Sequence, residues 1–131
     1  GIMDHLIARS IDHLKTRVQG GRKLADYQGL QWMLADMAVR RDASRLMVER
    51  AISVLERGKR GTLEAAMAKL HATESAVTAT RIATQVFGGY GFMEEYAVAR
   101  LYRDAKVLEI GEGTSEVQRM LIARGLGLPV E

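Results

Sequence analysis

The stretch TLEAAMAKLHATESAVTATRIATQVF, residues 62–87, contains neither glycine nor proline and is rich in residues that favour a helix. Apolar side chains recur along it at spacings of three and four, which is typical of a helix with one apolar face. Thr62 can cap its N-terminus, with Glu64 in the first turn where the helix dipole favours an acid. A second stripe consists of alanines, whose small side chains let a neighbouring helix approach closely. The apolar face comprises Leu63, Ala66, Met67, Leu70 and Val77, and the alanine stripe comprises Ala65, Ala68, Ala72, Ala76 and Ala83.

Glycines divide the rest of the chain into similar blocks, and the single proline, Pro129, follows the last of them. Ser115 and Gln118 match a capping box at the start of a final helix. No segment shows the alternation of apolar and polar residues that a half-buried strand needs. We therefore predict an all-α fold, an antiparallel up-and-down bundle of three long helices with shorter helical pieces after them. The other glycine-free blocks are residues 2–19, 30–57, 92–110 and 114–124, and the bundle forms a single domain over residues 1–131.

The second of the long helices also has a predicted packed face. Apolar residues recur at helical spacing from residue 30 to residue 55, so we expect this side of the helix to face the core. That face comprises Leu30, Leu34, Met37, Ala38, Ala43, Leu46, Met47, Arg50, Ala51, Val54 and Leu55.

Composition excludes several classes of protein. With no cysteine, the chain has no disulfide framework and no cysteine-ligated metal site. The formal charge of +3 comes from basic residues interleaved with acidic ones, so we expect no nucleic-acid binding. No apolar run approaches the roughly 20 residues of a membrane helix, and no signal peptide is recognisable. We therefore expect a soluble, intracellular protein. His5, His13 and His71 lack the spacing and acidic partners of a metal site, so we also expect no bound metal.

Two glycine-containing loops carry residues that simple turns do not need. In QVFGGYGFM, residues 85–93, three glycines in four positions allow positive φ angles or close contact with another surface. In IGEGTSEVQ, residues 110–118, Glu112 lies between two glycines just before a helix start, whose free N–H groups favour an anion. Thr114 and Ser115 add hydroxyl donors there. Taken alone, the first loop also fits a helix end with a tight turn, and the second fits a loop acid beside a helix cap.

Four segments, in order along the chain, together resemble the C-terminal α-helical domain of the acyl-CoA dehydrogenase family, from about residue 2 to residue 127. The resemblance implies the C-terminal third of a longer FAD-dependent enzyme that oxidises an acyl-CoA thioester to the trans-2-enoyl-CoA. Arg17-x-Gln19 with Gly21 and Gln28 resembles R-x-Q-F-G followed by [FY]-Q, residues 85–92 resemble Q-x-x-G-G-x-G-[YF], residues 103–106 resemble R-D-A-K, and residues 112–119 resemble E-G-T-[SA]-x-x-Q-R.

The resemblance also implies roles for individual residues. Glu112 would be the base that removes the α-proton while the β-hydrogen leaves as hydride to FAD, and Gly111 and Gly113 would line the substrate site beside it. The FAD of the same subunit would be contacted near its diphosphate by Thr114, Ser115 and Glu116. The FAD of a neighbouring subunit would be contacted by Arg17, Gln28, Gln85, Val86, Phe87, Gly88 and Gly89.

The partners implied by the resemblance are an acyl-CoA substrate, an electron-transfer flavoprotein and further copies of the chain in a dimer of dimers. The expected compartment is the cytoplasm, or the mitochondrial matrix in a eukaryote, with no membrane or nucleic-acid partner. We expect the 131 residues alone to be inactive and to expose apolar surface. Two alternatives stay open, an acyl-CoA oxidase relative and a non-catalytic helical assembly module. The chain departs from the family pattern at three positions. Gly20 stands where the family has phenylalanine, Ala97 where proline is common, and Gly111 where many members have tyrosine.

Overall fold

Five α-helices and one short β-hairpin make up the computed structural model, which describes residues 1–130. The helices confirm the all-α class, with three long helices followed by shorter ones. Within the described residues, no helix is both long and apolar enough to cross a membrane. The elements are α1 (Ile2–Thr16), β1 (Val18–Gln19), β2 (Arg22–Lys23), α2 (Gln28–Glu56), α3 (Thr62–Phe87), α4 (Ala97–Ala105) and α5 (Ser115–Gly125), joined in part by 3-10 turns at Leu24–Asp26, Gly88–Phe92 and Lys106–Glu109.

Helix α3 is the centre of the bundle, because it packs against each of the other four helices. Alanines on α3 are buried where its neighbours cross it, so the close approach expected from the alanine stripe is confirmed for most of its length. Ala65, near the start of the helix, is an exception and is exposed. The main core cluster consists of Leu6, Leu14, Met37, Ala79, Ala83, Val86, Phe87 and Val98.

Helix α2 contacts the bundle along a narrow seam and leaves much of its apolar surface uncovered. Met37, Ser44 and Ala51 are buried at intervals of seven residues, which is the spacing of a narrow seam. The prediction that Leu46, Arg50 and Leu55 lie on the packed face is wrong, since all three are exposed, Leu46 and Leu55 at 64% and 52%. Leu46 lies two residues past Ser44, which is about 200° around the helix. The expectation of exposed apolar surface is confirmed.

The hairpin between α1 and α2 was not predicted from the sequence. Val18 pairs with Lys23 and Gln19 with Arg22, and both turn glycines, Gly20 and Gly21, have positive φ angles of 62° and 79°. Such a turn suits the twist of a two-stranded hairpin. The two strands have only two residues each and both faces are exposed, so the sequence shows no alternation of apolar and polar residues from which they could be predicted. A Cβ on Gly20 would lie 2.8 Å from the Tyr27 hydroxyl, so glycine is required here.

The start of α3 also differs from the prediction. Thr62 is the first helical residue rather than the cap, and Gly61 takes the capping position with a left-handed φ of 62°. A Cβ on Gly61 would lie 2.8 Å from a methyl group of Leu55, whose side chain folds over the turn. The turn between α2 and α3 therefore needs a glycine immediately before the helix, which displaces the threonine by one position.

His13 connects α1 to the C-terminal end of α3. Its imidazole stacks on the Phe87 ring, with centroids 4.2 Å apart and the planes 14° from parallel. Partial burial of the ring, together with the nearby positive charge of Arg17, lowers the pKa of His13 below its usual value. The neutral imidazole is therefore the form that this part of the core accommodates.

We predict that Gly91→Ala destabilises the fold by about 1–3 kcal/mol through overpacking. Gly91 is buried, and a Cβ there would lie 2.4 Å from the Thr84 carbonyl oxygen and 2.9 Å from the Thr84 Cα. Gly89→Ala is the matched control, because a Cβ at Gly89 meets no atom within 4 Å. Urea unfolding followed by circular dichroism measures both variants. Equal free energies of unfolding for the two would contradict the prediction.

We predict that protonation of His13 destabilises the fold on acidification. The unfolded state binds the proton more readily. The contribution of neutral His13 to the free energy of unfolding is therefore complete above the unfolded pKa of about 6.5, and it declines as the pH falls towards the lower folded pKa. His13→Phe keeps an aromatic ring against Phe87 but cannot titrate. The measurement is the free energy of unfolding at pH 8 to 5, with the variant losing less stability than the wild type. Parallel curves would show that His13 does not contribute.

Candidate active site

Glu112 lies at the apex of a short loop between the 3-10 turn Lys106–Glu109 and α5. Its φ of 56° is the only positive φ of a non-glycine residue within residues 1–130. The following Gly113 also has a positive φ, of 89°. A left-handed conformation costs a residue with a side chain about 1–2 kcal/mol. Such a conformation persists only where the surrounding contacts enforce it.

Two side chains from different helices hold this loop. The Gln118 amide nitrogen donates to the carbonyl oxygens of Glu112 and Gly113, at 3.3 Å and 3.1 Å. The Lys69 ammonium, on α3, donates to the Gly113 carbonyl oxygen at 2.6 Å. Sequence reasoning did not select Lys69, because a lysine on a helix carries no signal of a contact so distant in the sequence.

The carboxylate of Glu112 is unengaged. Within the part of the chain that the structure describes, it takes part in no hydrogen bond and no ion pair, and the residue is exposed. Gly111 and Gly113 on either side add no side-chain bulk. The sequence-predicted residues Gly111, Glu112 and Gly113 are therefore together at one surface, with a carboxylate free to accept a proton.

The capping box predicted at the start of α5 is wrong. Thr114 is the cap, and its hydroxyl accepts a hydrogen bond from the Val117 N–H at 3.3 Å. Gln118 points to the preceding loop instead. Ser115 is 7% exposed, and its hydroxyl is buried without a partner among the described residues. Two consecutive hydroxyl residues made either position a plausible cap, and only the backbone geometry separates them.

A cavity of about 370 Å³ opens beside the start of α5. The unpartnered Ser115 hydroxyl and the helix N-terminus fit an anionic ligand such as the diphosphate of FAD. The Glu116 carboxylate does not, because its own N–H and the Thr114 hydroxyl hold its pKa below the usual range and keep it charged. If Glu116 contacts a diphosphate, as the sequence predicts, the contact would therefore be made by its backbone. The cavity is lined by Glu74, Lys106, Glu109, Ile110, Thr114, Ser115, Glu116 and Arg119.

The second predicted set of FAD contacts meets at the opposite end of α3. Gly88 and Gly89 border open space, since a Cβ on either would meet no atom within 4 Å. Val86 and Phe87 are buried at 3% and 6% exposure, which leaves their backbone to contact a ligand. Two adjoining cavities of about 590 and 430 Å³ bring together Arg17, Gln28, Gln85, Val86, Phe87, Gly88 and Gly89.

Tyr90 completes this second site and was not selected from the sequence. The Arg17 guanidinium donates to the Tyr90 hydroxyl at 3.4 Å and lies 5.1 Å from the centre of its ring. Tyr90, which occupies the variable position between the glycines of the motif, therefore holds Arg17 in place. Two features of this site suit an anionic, planar cofactor. The backbone at Gly88 and Gly89 is exposed to the cavities, and the Arg17 cation is held in a fixed orientation.

The two sites do not meet within one chain. Lys69, beside the Glu112 loop, and Gln85, beside the glycine-rich turn, are 16 residues apart on α3, or about 24 Å at 1.5 Å per residue. The R-D-A-K element is divided: its Lys106 lines the cavity beside the start of α5, where it pairs with Glu109, and its Arg103 lies in neither site. Its Arg103 forms an exposed ion pair with Glu94 at 3.0 Å. No cluster of three or more metal-ligating side chains occurs in residues 1–130.

Comparison with known proteins shows the family to which the chain belongs. A family model described as "Acyl-CoA dehydrogenase, C-terminal domain" matches residues 1–127. Acryloyl-CoA reductase (NADH) of Anaerotignum propionicum is 46% identical, over 95% of this chain and 32% of that protein. A subunit of the caffeyl-CoA reductase–Etf complex of Acetobacterium woodii, CarC, is 42% identical, over 94% of this chain and 32% of that protein.

Solved structures agree. The structure of butyryl-CoA dehydrogenase from Megasphaera elsdenii superposes with a TM-score of 0.92 at 42% identity, over 95% of this chain and 33% of that one. The chain thus spans about a third of the length of the relatives it matches. Acyl-CoA dehydrogenases use FAD. With the fold, the four sequence motifs and the family match in agreement over residues 1–127, the chain belongs to the acyl-CoA dehydrogenase family, in its C-terminal helical domain.

Proposed function

We propose that this domain supplies the catalytic base of an FAD-dependent acyl-CoA dehydrogenase and two parts of its FAD-binding surface. The observation that carries the proposal is the free carboxylate of Glu112, exposed at the apex of a loop held from two helices. A carboxylate with no partner in the protein is available to accept a proton from a substrate.

The chemistry explains why a base alone is insufficient. The α-proton of a thioester is very weakly acidic, and it can be removed only if negative charge on the carbonyl oxygen is stabilised as it develops. The Glu112 N–H, in the same loop, is the donor we assign to that oxygen, so one residue would hold the thioester and deprotonate it. Closure of the site by substrate would desolvate the carboxylate and make it more basic.

The cofactor contacts follow from the two separate sites. FAD, when bound, supplies the acceptor for the hydride that leaves the β-carbon. Ser115 and the N-terminus of α5 would contact its diphosphate in the same subunit. The glycine-rich turn and Arg17 lie about 24 Å away along α3, so we assign them to the FAD of a neighbouring subunit in a dimer of dimers. The uncovered apolar side of α2 supports association with further protein.

Two relatives bear on the direction of the reaction and on the electron partner. Acryloyl-CoA reductase, which is named for the reverse reaction, is 46% identical to this chain. Because a base and its conjugate acid serve opposite directions of one step, Glu112 would then return the proton to the α-carbon. The 42% identical relative belongs to a complex with Etf, which supports an electron-transfer flavoprotein as partner. We place the enzyme in the cytoplasm, or in the mitochondrial matrix in a eukaryote.

Two other functions compete with this proposal. An acyl-CoA oxidase relative would use the same base, and is distinguished by rapid reoxidation of the reduced flavin by oxygen. A helical assembly module would need no carboxylate at Glu112. The left-handed backbone favours the enzyme, since a glycine there would relieve the strain at no cost to assembly.

We predict that Glu112→Gln in the full-length protein retains FAD and loses about a thousandfold in the rate of flavin reduction by butyryl-CoA. The amide is similar in size but cannot accept the α-proton. Stopped-flow absorbance under anaerobic conditions measures the rate. Glu95→Gln, the same change at an exposed residue of another loop, is the control and should be unaffected. A normal rate in the Glu112 variant would remove this residue from the role.

We predict that Gly89→Leu abolishes FAD binding without unfolding the full-length protein. A Cβ at this position meets no atom within 4 Å in the domain, so we expect a leucine side chain to fit here and to collide with a ligand bound against the glycine. FAD content per chain, read from the visible spectrum after gel filtration, should fall below about a tenth of the wild-type content because the ligand is sterically excluded. Ala65→Leu places the same side chain at an exposed position of α3 and should retain FAD. Full occupancy in the Gly89 variant would refute the assignment.

A further inference from the structure

The conformation of the Glu112 loop requires an external support. Glu112 has a φ of 56° and Gly113 a φ of 89°, so the chain turns through two left-handed residues before α5 begins. Only the second of these is a glycine. A glutamate left to itself would favour a negative φ by about 1–2 kcal/mol, which would redirect both its carboxylate and its N–H.

Gln118 supplies the first part of that support. Its amide nitrogen donates to two successive carbonyl oxygens, those of Glu112 and Gly113, and the residue is only 6% exposed. These bonds fix the two peptide planes that follow the Cα atom of Glu112. The contact is tight, because a Cβ on Gly113 would lie 2.7 Å from the same amide nitrogen.

Lys69 supplies the second part. Its ammonium bonds the Gly113 carbonyl oxygen at 2.6 Å, from a position 44 residues away in the sequence on α3. Charge-assisted hydrogen bonds of this length are stronger than neutral ones. Because α3 packs against every other helix, this bond ties the loop to the centre of the bundle.

We propose that Gln118, together with Lys69, is a positioning residue for Glu112: the two side chains hold the loop in its left-handed conformation and so direct the carboxylate and N–H of Glu112 at the substrate. The inference rests on the proposed function of Glu112. A merely structural role at the start of α5 would affect folding or FAD content instead. The two roles are separated by measuring rate, KM and FAD content independently.

The first test is Gln118→Met in the full-length protein loaded with FAD. Methionine has a similar length but no hydrogen-bond donor. We expect flavin reduction by saturating butyryl-CoA to slow about 10- to 100-fold, with KM within about threefold and FAD content unchanged, because small displacements of a reacting group carry losses of this size. Gln31→Met is the matched control. Gln31 also donates its amide to a backbone carbonyl, of Ala25 at 2.8 Å, and its loss should change the rate less than twofold.

The decisive test repeats the change in the Glu112→Gln background. If Gln118 acts through the carboxylate of Glu112, Gln118→Met should slow the residual rate of that variant by a clearly smaller factor than it slows the wild-type rate, because residues that act as a unit are not additive. Any loss that remains is the contribution of the backbone N–H at position 112, which the Glu112→Gln variant keeps. The same 10- to 100-fold loss in both backgrounds would overturn the inference, as would a normal rate or a loss of FAD in the single variant.

Lys69→Met keeps the inference testable if Gln118→Met does not fold. Lys69 is partly exposed, so its replacement is tolerated more easily. We expect a slowing of at least about fivefold with FAD retained, from loss of the bond to Gly113. A normal rate would overturn the inference. If Glu112→Gln is inactive while Gln118→Met and Lys69→Met are normal, only the positioning role fails; a normal rate in Glu112→Gln removes the proposed function as well.

Discussion

The close packing of α3 against the other four helices is the constraint on which both candidate sites depend. Its buried alanines allow the neighbours to approach, so the helix is held along most of its length. Near one end it carries Lys69, which bonds the Glu112 loop, and at the other it runs into the glycine-rich turn. The positions of both sites therefore depend on α3, and a shift of this helix would displace the two sites together.

The distance between the two sites has a consequence for assembly. About 24 Å of helix separates Lys69 from Gln85, and the core of the bundle lies between them. In the proposed enzyme, each chain would give its base to one cofactor and its glycine-rich turn to another. Oligomerisation would then be part of the active site itself. The same arrangement would explain why α2 exposes apolar side chains such as Trp32 and Val39, which are 61% and 69% exposed.

Helices and motifs could be predicted from the sequence because their signals are local. Glycine-free blocks with apolar residues at helical spacing predicted the three long helices, and the motif at residues 85–92 indicated the second candidate site. The missed features depend on geometry that a local pattern does not contain. The hairpin at Gly20 and Gly21 is too short to show an alternating pattern, and the cap of α5 is set by the backbone ψ angle of Thr114, which is 164° and not helical. The bond from Lys69 to Gly113 spans 44 positions, and no local rule indicates it.

The conformation of Glu112 is the clearest conflict between local preference and the folded structure. A glycine at this position would adopt a positive φ without strain, and glycines already stand on both sides. A glutamate there agrees with the proposed role, in which its carboxylate is needed at that point in space. The buried amide of Gln118 and the ammonium of Lys69 offset the strain locally, at the residues that the proposed reaction uses. Departures of this kind from local rules concentrate at functional sites, where the surrounding structure maintains a conformation that the residue would otherwise leave.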